Sequence, residues 1–277
     1  MLKLLGAIPA SRRDAFTTLL YVLLYRIAGY RKDIVTENLK SVFEDENAKE
    51  LTVRAQNFYR HIATLLLEIS RTQRMDAQAF RQHVRVNNPE LVAQTSAGYT
   101  RPILILSLHQ GNWEWLLSGV AVALGQPLHV VYKPLHNAAL DTHMHRLRER
   151  FDCRPVAVAD LGRDLVAARR APRLLVMAAD QAPVGTERQQ TCDFLGRATA
   201  FHALPGELAV RFGMPVLFAR CHRDSPAGYC VDFEVIADGT AALDGSLITD
   251  RYAALAEAAI LAQPHTWLWS HRRWKPS

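Results

Sequence analysis

The sequence predicts an α/β fold, in which a mixed, mostly parallel central sheet is flanked by helices and preceded by a helical N-terminal preface. Short uncharged apolar runs at 103–108 and 174–179 are typical of strands buried on both faces of a parallel sheet. Segments of helical periodicity alternate with these runs, as expected where helices cover a sheet. The first 80 residues have helical character throughout, so we predict a helical preface over 1–80 and an α/β domain over 81–277.

The individual elements follow from periodicity and from their end signals. Apolar residues of 51–69 fall largely on one helical face, which predicts a helix with that face buried. Residues 113–124 predict a helix that ends at Gly125, and 128–132 predict a strand. The remaining predicted elements are helices at 138–151, 161–170, 205–212 and 248–261, and strands at 103–108, 174–179, 214–219 and 229–236.

Composition is that of a packed globular protein, with 49% hydrophobic and 22% charged residues. A chain of 277 residues can bury a large core without metals or disulfides. The four cysteines have no CxxC spacing, and we expect them to be reduced core thiols in a cytosolic compartment. They are Cys153, Cys192, Cys221 and Cys230.

The net charge of +6 is concentrated at the two ends of the chain. Residues 1–32 carry six Lys or Arg against one Asp, and the last eleven residues carry three more cations. Such asymmetry indicates an anionic partner surface, either nucleic acid or membrane. The apolar segment 15–25 favours membrane, but it is shorter than the roughly 20 residues of a spanning helix. We therefore expect an interfacial anchor, with a buried first helix as the alternative.

One short stretch has the residue types of a catalytic site. His109 directly follows the strand at 103–108, and Glu114 falls in the first turn of the next helix. In open α/β sheets, ligands and catalytic groups collect at the carboxyl ends of strands. A turn at Gly111 and Asn112 would let the carboxylate fold back to the imidazole, so we predict His109 as general base and Glu114 as its orienting acid. The stretch has no G-x-S-x-G nucleophile elbow, which favours direct transfer to a substrate hydroxyl.

The same stretch, HQGNWEW, resembles the H-x4-D/E block of glycerolipid acyltransferases in the form used by the lipid A biosynthesis (lauroyl and myristoyl) acyltransferase family. Tyr30-Arg31-Lys32, with Asn38-Leu39 and Phe43, resembles that family's amino-terminal signature. Other family blocks follow in order and cover nearly the whole chain. They are VYKPL at 131–135 with Asn137 and Asp141, the arginines Arg146, Arg148 and Arg150, DQAP at 180–183, FLGR at 194–197, and WLWSHRRWK at 267–275.

The resemblance implies an O-acyltransferase that moves a fatty acyl chain from an acyl carrier protein thioester to a hydroxyl of a lipid A-type precursor or related glycolipid. It also implies that Asp180 belongs to the site. Lys133 and Arg148 are candidates for binding an acceptor phosphate or the phosphopantetheine arm. Arg146 or Arg150 could take the place of Arg148. We further predict Asn112 beside the substrate. Arg272 and Arg273, set among Trp267, Trp269 and Trp274, are predicted to form an interfacial belt or substrate rim.

We expect no cofactor and no metal, because the imidazoles of the H-x-H pair at 143 and 145 point in different directions on a helix. The expected partners are acyl carrier protein, a lipid acceptor and an anionic membrane surface, not nucleic acid. The resemblance implies a location at the cytoplasmic face of the inner membrane.

Two departures from the family pattern keep alternatives open. The N-terminal apolar stretch is short, and Lys133 stands where the family has Arg, which removes a two-pronged phosphate contact. Another acceptor such as a lysophospholipid, a mannolipid or a polyene lipid therefore stays possible. A thioesterase, in which the same dyad activates water, is the alternative from another class.

Overall fold

The computed structural model describes residues 6, 8–167, 171–225, 228–242 and 244–274. Helices occupy the amino-terminal part, and strands and helices alternate from residue 84 onwards. The α-helices are α1 (Arg13–Tyr21), α2 (Lys32–Val42), α3 (Ala48–Arg71), α4 (Ala77–His83), α5 (Pro89–Thr95), α6 (Trp113–Leu124), α7 (Ala138–Glu149), α8 (Val158–Ala167), α9 (Leu204–Phe212) and α10 (Gly245–Ala262). The strands are β1 (Val84–Val86), β2 (Ile103–Ser107), β3 (Leu128–Tyr132), β4 (Cys153–Ala157), β5 (Leu174–Ala178), β6 (Gln189–Phe194), β7 (Arg197–His202), β8 (Val216–Ser225) and β9 (Gly228–Ala237).

Seven of these strands form one sheet in the order β1-β9-β8-β2-β5-β3-β4. Strands β8, β2, β5, β3 and β4 run parallel, β9 is antiparallel to β8, and β1 is parallel to β9. The predicted fold class, a mostly parallel α/β sheet with a helical preface, is confirmed. The carboxyl ends of the five parallel strands lie at one end of the sheet, where loops can present polar side chains together.

Strand β2 shows why the apolar runs become central strands. All five of its residues are buried, because helices cover both faces of the sheet. Leu104 and Leu106 pack into the hydrophobic cluster on one face, whereas Ile103 and Ile105 pack into the cluster on the other. This alternation is the two-residue period of a strand.

Helices α1, α2 and α3 of the preface contribute to the hydrophobic cluster on one face of this sheet. Tyr21, Tyr25, Phe58 and Tyr59 belong to the same buried cluster as Leu104 of β2. Helix α3, the longest element of the preface, starts with a capping box. In that box the Asn47 side chain accepts from the backbone of Glu50, and Glu50 bonds back to the backbone of Asn47.

Several elements were not predicted from the sequence. The hairpin β6–β7 is polar along much of β6, so its apolar signal is weak. Its two turn residues, Leu195 and Gly196, both have positive φ, as a type I′ hairpin turn requires. Strand β4 contains Pro155, a residue that disfavours a central strand, and β4 indeed lies at the edge of the sheet.

Three further predictions concern membrane spanning, the helix at 161–170 and the cysteines. None of the helices among the described residues is both long and apolar enough to cross a membrane. The helix predicted at 161–170 is α8, and residues 168–170 lie outside the described part of the chain. All four cysteines are free and buried, as predicted.

Candidate active site

The pairing of β2 with β5 brings two predicted site residues together. Ser107 of β2 lies opposite Ala178 of β5, and two residues further along each chain are His109 and Asp180. The His109 Nδ1–H donates to Asp180 Oδ1 at 2.7 Å, and the His109 backbone N–H donates to Asp180 Oδ2 at 3.0 Å. The carboxylate of Asp180 therefore fixes both the ring and the backbone of His109.

The turn after His109 is tightly constrained. Gly111 has φ +61°, and a Cβ at this position would lie 2.5 Å from the Cys221 carbonyl oxygen. Only glycine meets both requirements. The next residue, Asn112, caps helix α6, because its Oδ1 accepts from the Trp115 backbone N–H at 3.0 Å. The turn and the cap together set where α6 begins relative to His109.

Asp180 is a buried, ionised carboxylate. It is 1% exposed, and its Oδ2 also accepts from the Trp267 indole N–H at 2.8 Å. Burial alone would raise the pKa of Asp180, but the adjacent His109 and the hydrogen bonds to the charged form outweigh burial and lower that pKa to about 2. Asp180 therefore remains an acceptor for the His109 Nδ1–H throughout the physiological pH range.

His109 is the member of this pair that reaches solvent. Its side chain is 22% exposed, and its ring meets the Trp113 ring edge to face at a centroid distance of 5.4 Å. Burial acts to lower the pKa of His109, but attraction to Asp180 and the hydrogen bond between them outweigh burial and raise that pKa. Because Asp180 occupies Nδ1, Nε2 is the ring atom available to a substrate. This is the arrangement of a general base with its orienting acid.

The prediction that Glu114 orients His109 is corrected by this geometry. Arg148 Nε donates to Glu114 Oε2 at 2.9 Å, and Arg148 Nη2 donates to Glu114 Oε1 at 2.6 Å. Glu114 is therefore one half of a two-pronged ion pair that joins the start of α6 to α7. The pair still acts on the base electrostatically, since Glu114 raises the pKa of His109 and Arg148 lowers it.

The cations that were predicted to bind substrate have different surroundings. Glu114 accepts hydrogen bonds from two of the three guanidinium nitrogens of Arg148. The Arg148 side chain is 15% exposed. Arg150 donates to the backbone carbonyls of Thr72 and Met75, whereas Arg146 is exposed. The charge of Arg148 acts on His109 and lowers its pKa.

Lys133 is exposed in the loop between β3 and α7. Two other residues of its sequence block order that loop. Asp141 Oδ1 accepts from the Leu135 backbone N–H at 2.9 Å, and Asn137 caps α7 through the Leu140 N–H. The block therefore presents Lys133 to solvent at the same end of the sheet as His109.

Asn112, predicted to lie beside the substrate, is instead completely buried. While its Oδ1 caps α6, its Nδ2 donates to Glu68 Oε2 at 3.0 Å. Glu68 also accepts from the Tyr229 hydroxyl at 2.7 Å and from Arg223 at 2.7 Å. The role of Asn112 is thus to position the turn. The hydrogen-bond network around Glu68 was not predicted from the sequence, because its members come from α3, β8 and β9 and share no local sequence pattern.

The carboxyl-terminal segment is bound directly to residues 109–112, the candidate catalytic turn. The Leu268 backbone N–H donates to the His109 carbonyl at 3.0 Å, and the Gly111 N–H donates to the Thr266 carbonyl at 3.1 Å. The amino-terminal signature holds this segment from the other side. Asn38 Nδ2 donates to the Trp269 carbonyl at 2.7 Å, and Arg31 donates to the Ser270 carbonyl at 3.0 Å. The motifs at the two ends of the chain therefore support one structure.

The predicted belt or substrate rim of tryptophans and arginines is corrected as well. Trp267 and Trp269 are 2% and 0% exposed and belong to the core. Arg273 is also buried, donates to the Ala200 carbonyl at 2.6 Å and lies over the Phe201 ring. Arg272 is exposed and lies 3.7 Å from Glu37. Alternating aromatic and basic residues suit a membrane interface and a core equally well, so the pattern alone could not distinguish them.

Two unpredicted residues lie close to the His109–Asp180 pair. Trp113 packs against the His109 ring, and its position within the HQGNWEW stretch was the available signal. His271 lies nearby, where its Nε2 accepts from the Ala182 backbone N–H at 3.1 Å. Burial lowers the pKa of His271 to about 4, so its imidazole is uncharged at neutral pH.

The fold and the site define an α/β protein with a histidine–carboxylate pair at the carboxyl end of a mostly parallel sheet, in which the carboxylate is buried and the imidazole is partly exposed. The family model for bacterial lipid A biosynthesis acyltransferases matches residues 1–276. The chain therefore belongs to that family, whose members are acyltransferases of lipid A biosynthesis. A search of curated proteins gave no match.

Proposed function

We propose that this protein transfers a fatty acyl chain from an acyl carrier protein thioester to a hydroxyl of a lipid A-type precursor. Family membership supports the acyltransferase chemistry and the lipid A pathway. The observation that carries the proposed mechanism is the hydrogen bond from His109 Nδ1 to the buried carboxylate of Asp180, in a histidine whose side chain is 22% exposed.

In the proposed reaction, His109 Nε2 takes the proton of the acceptor hydroxyl as its oxygen attacks the thioester carbonyl carbon. A new C–O bond forms, and the tetrahedral intermediate then collapses with cleavage of the C–S bond. The imidazolium returns its proton to the leaving thiolate, so the products are an acyl ester and the free thiol of the carrier. Asp180 stabilises the imidazolium while it exists.

Three of the cations, Arg148, Lys133 and Arg146, suit anionic substrates. Arg148 is positioned by Glu114, and its Nη1 is the guanidinium nitrogen that the two hydrogen bonds to Glu114 do not use. We assign this group to the developing oxyanion or to a substrate phosphate, because preorganised charge is most effective in a site that excludes water. Lys133 and Arg146 are exposed and suit the acceptor phosphate and the acidic carrier protein, respectively.

We place the enzyme at the cytoplasmic face of the inner membrane, with an anionic lipid surface as its partner. Leu19, Leu23 and Ile27 are 60%, 46% and 74% exposed at intervals of four residues along the first helix and its π-helical continuation. The exposed cations Arg26 and Lys32 flank this apolar strip. Exposed apolar residues beside cations are the composition of an interfacial helix.

The decisive experiment incubates pure protein with acyl carrier thioester, with and without a lipid A-type acceptor, and measures acyl-lipid and free fatty acid separately. We expect acceptor-dependent acyl-lipid from the wild type and its loss in His109→Gln with an unchanged melting temperature. Acceptor-independent free fatty acid would identify a thioesterase instead. A deletion strain whose lipid A is unchanged in mass would reject lipid A as the acceptor.

A further inference from the structure

A second group of polar side chains surrounds a cavity of about 260 Å³ that neither His109 nor Asp180 lines. Its walls come from α3, from the carboxyl end of β8 and from the turn Pro264–Thr266. The lining residues are Asn57, Arg60, His61, Thr64, Arg223 and His265. None of them has a role in the acyl transfer proposed above.

His61, one of the residues that line this cavity, carries a buried polar atom without a hydrogen-bond partner in the described part of the chain. The residue is 6% exposed, and its Nε2 has no hydrogen-bond partner among the residues that the structure describes. Its ring also bonds to the backbone of Gly111 in the catalytic turn. Burial, together with the charge of Arg223, lowers the pKa of His61 to about 3, so the ring is uncharged. With one nitrogen donating to Gly111, Nε2 is left as a buried acceptor that lacks a donor.

The charged groups around the cavity favour an anion. Arg60 is exposed at its mouth and donates to Asn57 Oδ1 at 3.0 Å. Arg223 is held by Glu68 at 2.7 Å, and the described residues that line the cavity include two arginines and no Asp or Glu. Fixed guanidinium groups are the preferred partners of phosphate oxygens. The cavity is therefore complementary to a ligand that is negatively charged and also supplies one hydrogen-bond donor to His61.

We propose that this cavity binds a phosphoryl group that carries a P–OH. Arg60 and Arg223 would contact the charged oxygens, and the P–OH would donate to His61 Nε2. The cavity is smaller than the roughly 300–1,000 Å³ of pockets for drug-sized ligands, so it suits a small anion or the phosphorylated end of a larger molecule. A phosphodiester has no P–OH and fails this requirement. The two remaining sources are free inorganic phosphate and a lipid headgroup phosphomonoester, and the second source rests on the proposed function.

Calorimetric titration of the full-length protein with inorganic phosphate at about pH 6 tests the site, since phosphomonoesters keep substantial P–OH near their second pKa of about 6. We expect one site, weakened at least tenfold by Arg60→Gln. The matched control is Arg211→Gln, which removes an exposed arginine that lines a different cavity of about 440 Å³. Dimethyl phosphate, which lacks a P–OH, should bind at least tenfold more weakly than inorganic phosphate. Absence of phosphate binding, or equal loss in both variants, overturns the proposal.

The source of the phosphoryl group is then decided by kinetics. If it belongs to the lipid acceptor, Arg60→Gln raises KM for a phosphorylated acceptor, leaves kcat unchanged, and does not affect a dephosphorylated acceptor. If it is free phosphate, both KM values stay constant in Arg60→Gln, and added phosphate alters the rate of the wild type but not of the variant. Either result supports the site. Because the calorimetry needs no acyl donor, a failure of the acyltransferase assay would leave the phosphate measurement valid.

Discussion

His109 and Asp180 are 71 residues apart in sequence, yet they occupy equivalent positions just beyond two hydrogen-bonded parallel strands. Their side chains meet because β5 is the direct neighbour of β2 in the sheet order. The backbone N–H of His109 also donates to Asp180, so the carboxylate holds the base through two separate hydrogen bonds. Changes at Asp180 therefore alter the orientation and the pKa of His109 together.

Replacing Asp180 with asparagine should reduce the rate of acyl transfer by about 10²–10⁴-fold, the range that positioned acid–base groups contribute. The amide cannot stabilise the imidazolium, although its size and shape are nearly unchanged. The measurement is the single-turnover rate of acyl-lipid formation. The control is Asp160→Asn on α8, whose side chain is 61% exposed, and it should retain the wild-type rate. A near-wild-type rate in Asp180→Asn would remove Asp180 from the mechanism.

The pH dependence of the rate follows from the raised pKa of His109. Only the uncharged ring acts as a base, so the rate should fall as pH drops through that pKa, which lies above the ordinary value of about 6.5. Removing the Asp180 charge takes away the main interaction that raises the pKa of His109. The acid limb of Asp180→Asn should therefore move to lower pH, in addition to the loss of rate. Profiles of kcat/KM measured from about pH 5 to 9 test both shifts.

The Glu114–Arg148 pair should behave as a coupled unit that is separate from the catalytic pair. Glu114→Gln and Arg148→Gln should each destabilise the fold by about 3 kcal/mol, because each leaves a largely buried charge uncompensated. The double variant should lose less than the sum of the two, and denaturant melts of all four proteins measure this.

The same variants should shift the acid limb of the rate in opposite directions. Removing Glu114 lowers the pKa of His109, whereas removing Arg148 raises it. Additive stability losses, or shifts in the same direction, would contradict this picture of the pair.

The sequence was sufficient to predict the central strands because β2 and β5 are continuous apolar runs, and it located His109 at the end of one of them. It could not decide which carboxylate meets the imidazole. Glu114 is near in sequence, whereas Asp180 becomes a neighbour only through the strand order, which a linear pattern does not contain. The resemblance placed Asp180 in the site without giving it the orienting role.

The elements that sequence analysis missed have weak signals for physical reasons. Strand β6 is stabilised by its pairing with β7 and by its packing under α10, not by an apolar run of its own. Trp267 combines with basic neighbours in a pattern that also suits a membrane belt. Its indole is instead buried as a donor to Asp180, a role that depends on tertiary contacts alone.

Gly111 and Gly125 offer a matched pair for testing the catalytic turn. Both have φ near +60°, but a Cβ at Gly111 would meet the Cys221 carbonyl oxygen at 2.5 Å, whereas a Cβ at Gly125 would meet nothing within 4 Å. Gly125→Ala should cost about 1–2 kcal/mol of stability through its left-handed backbone alone. Gly111→Ala carries the same strain plus a backbone clash, so it should lose clearly more stability and most of the activity. Equal losses in melting temperature and rate would show that the close approach at Gly111 is unimportant.

The apolar strip of the first helix provides the test of membrane association. Substituting Leu19, Leu23 and Ile27 together with serine should weaken sedimentation with anionic phospholipid vesicles more than tenfold, since each exposed side chain would lose its favourable transfer into the acyl region. The matched control replaces Val210, Leu247 and Leu261, which are 46%, 47% and 49% exposed on other helices, and should bind vesicles like the wild type. Raising the salt concentration should weaken vesicle binding by the wild-type protein, because salt screens the attraction between the flanking cations and the anionic lipids. Equal binding by both triple variants would mean that another surface carries the interaction. Loss of vesicle binding with full transfer to detergent-dispersed acceptor would separate membrane recruitment from the chemistry at His109.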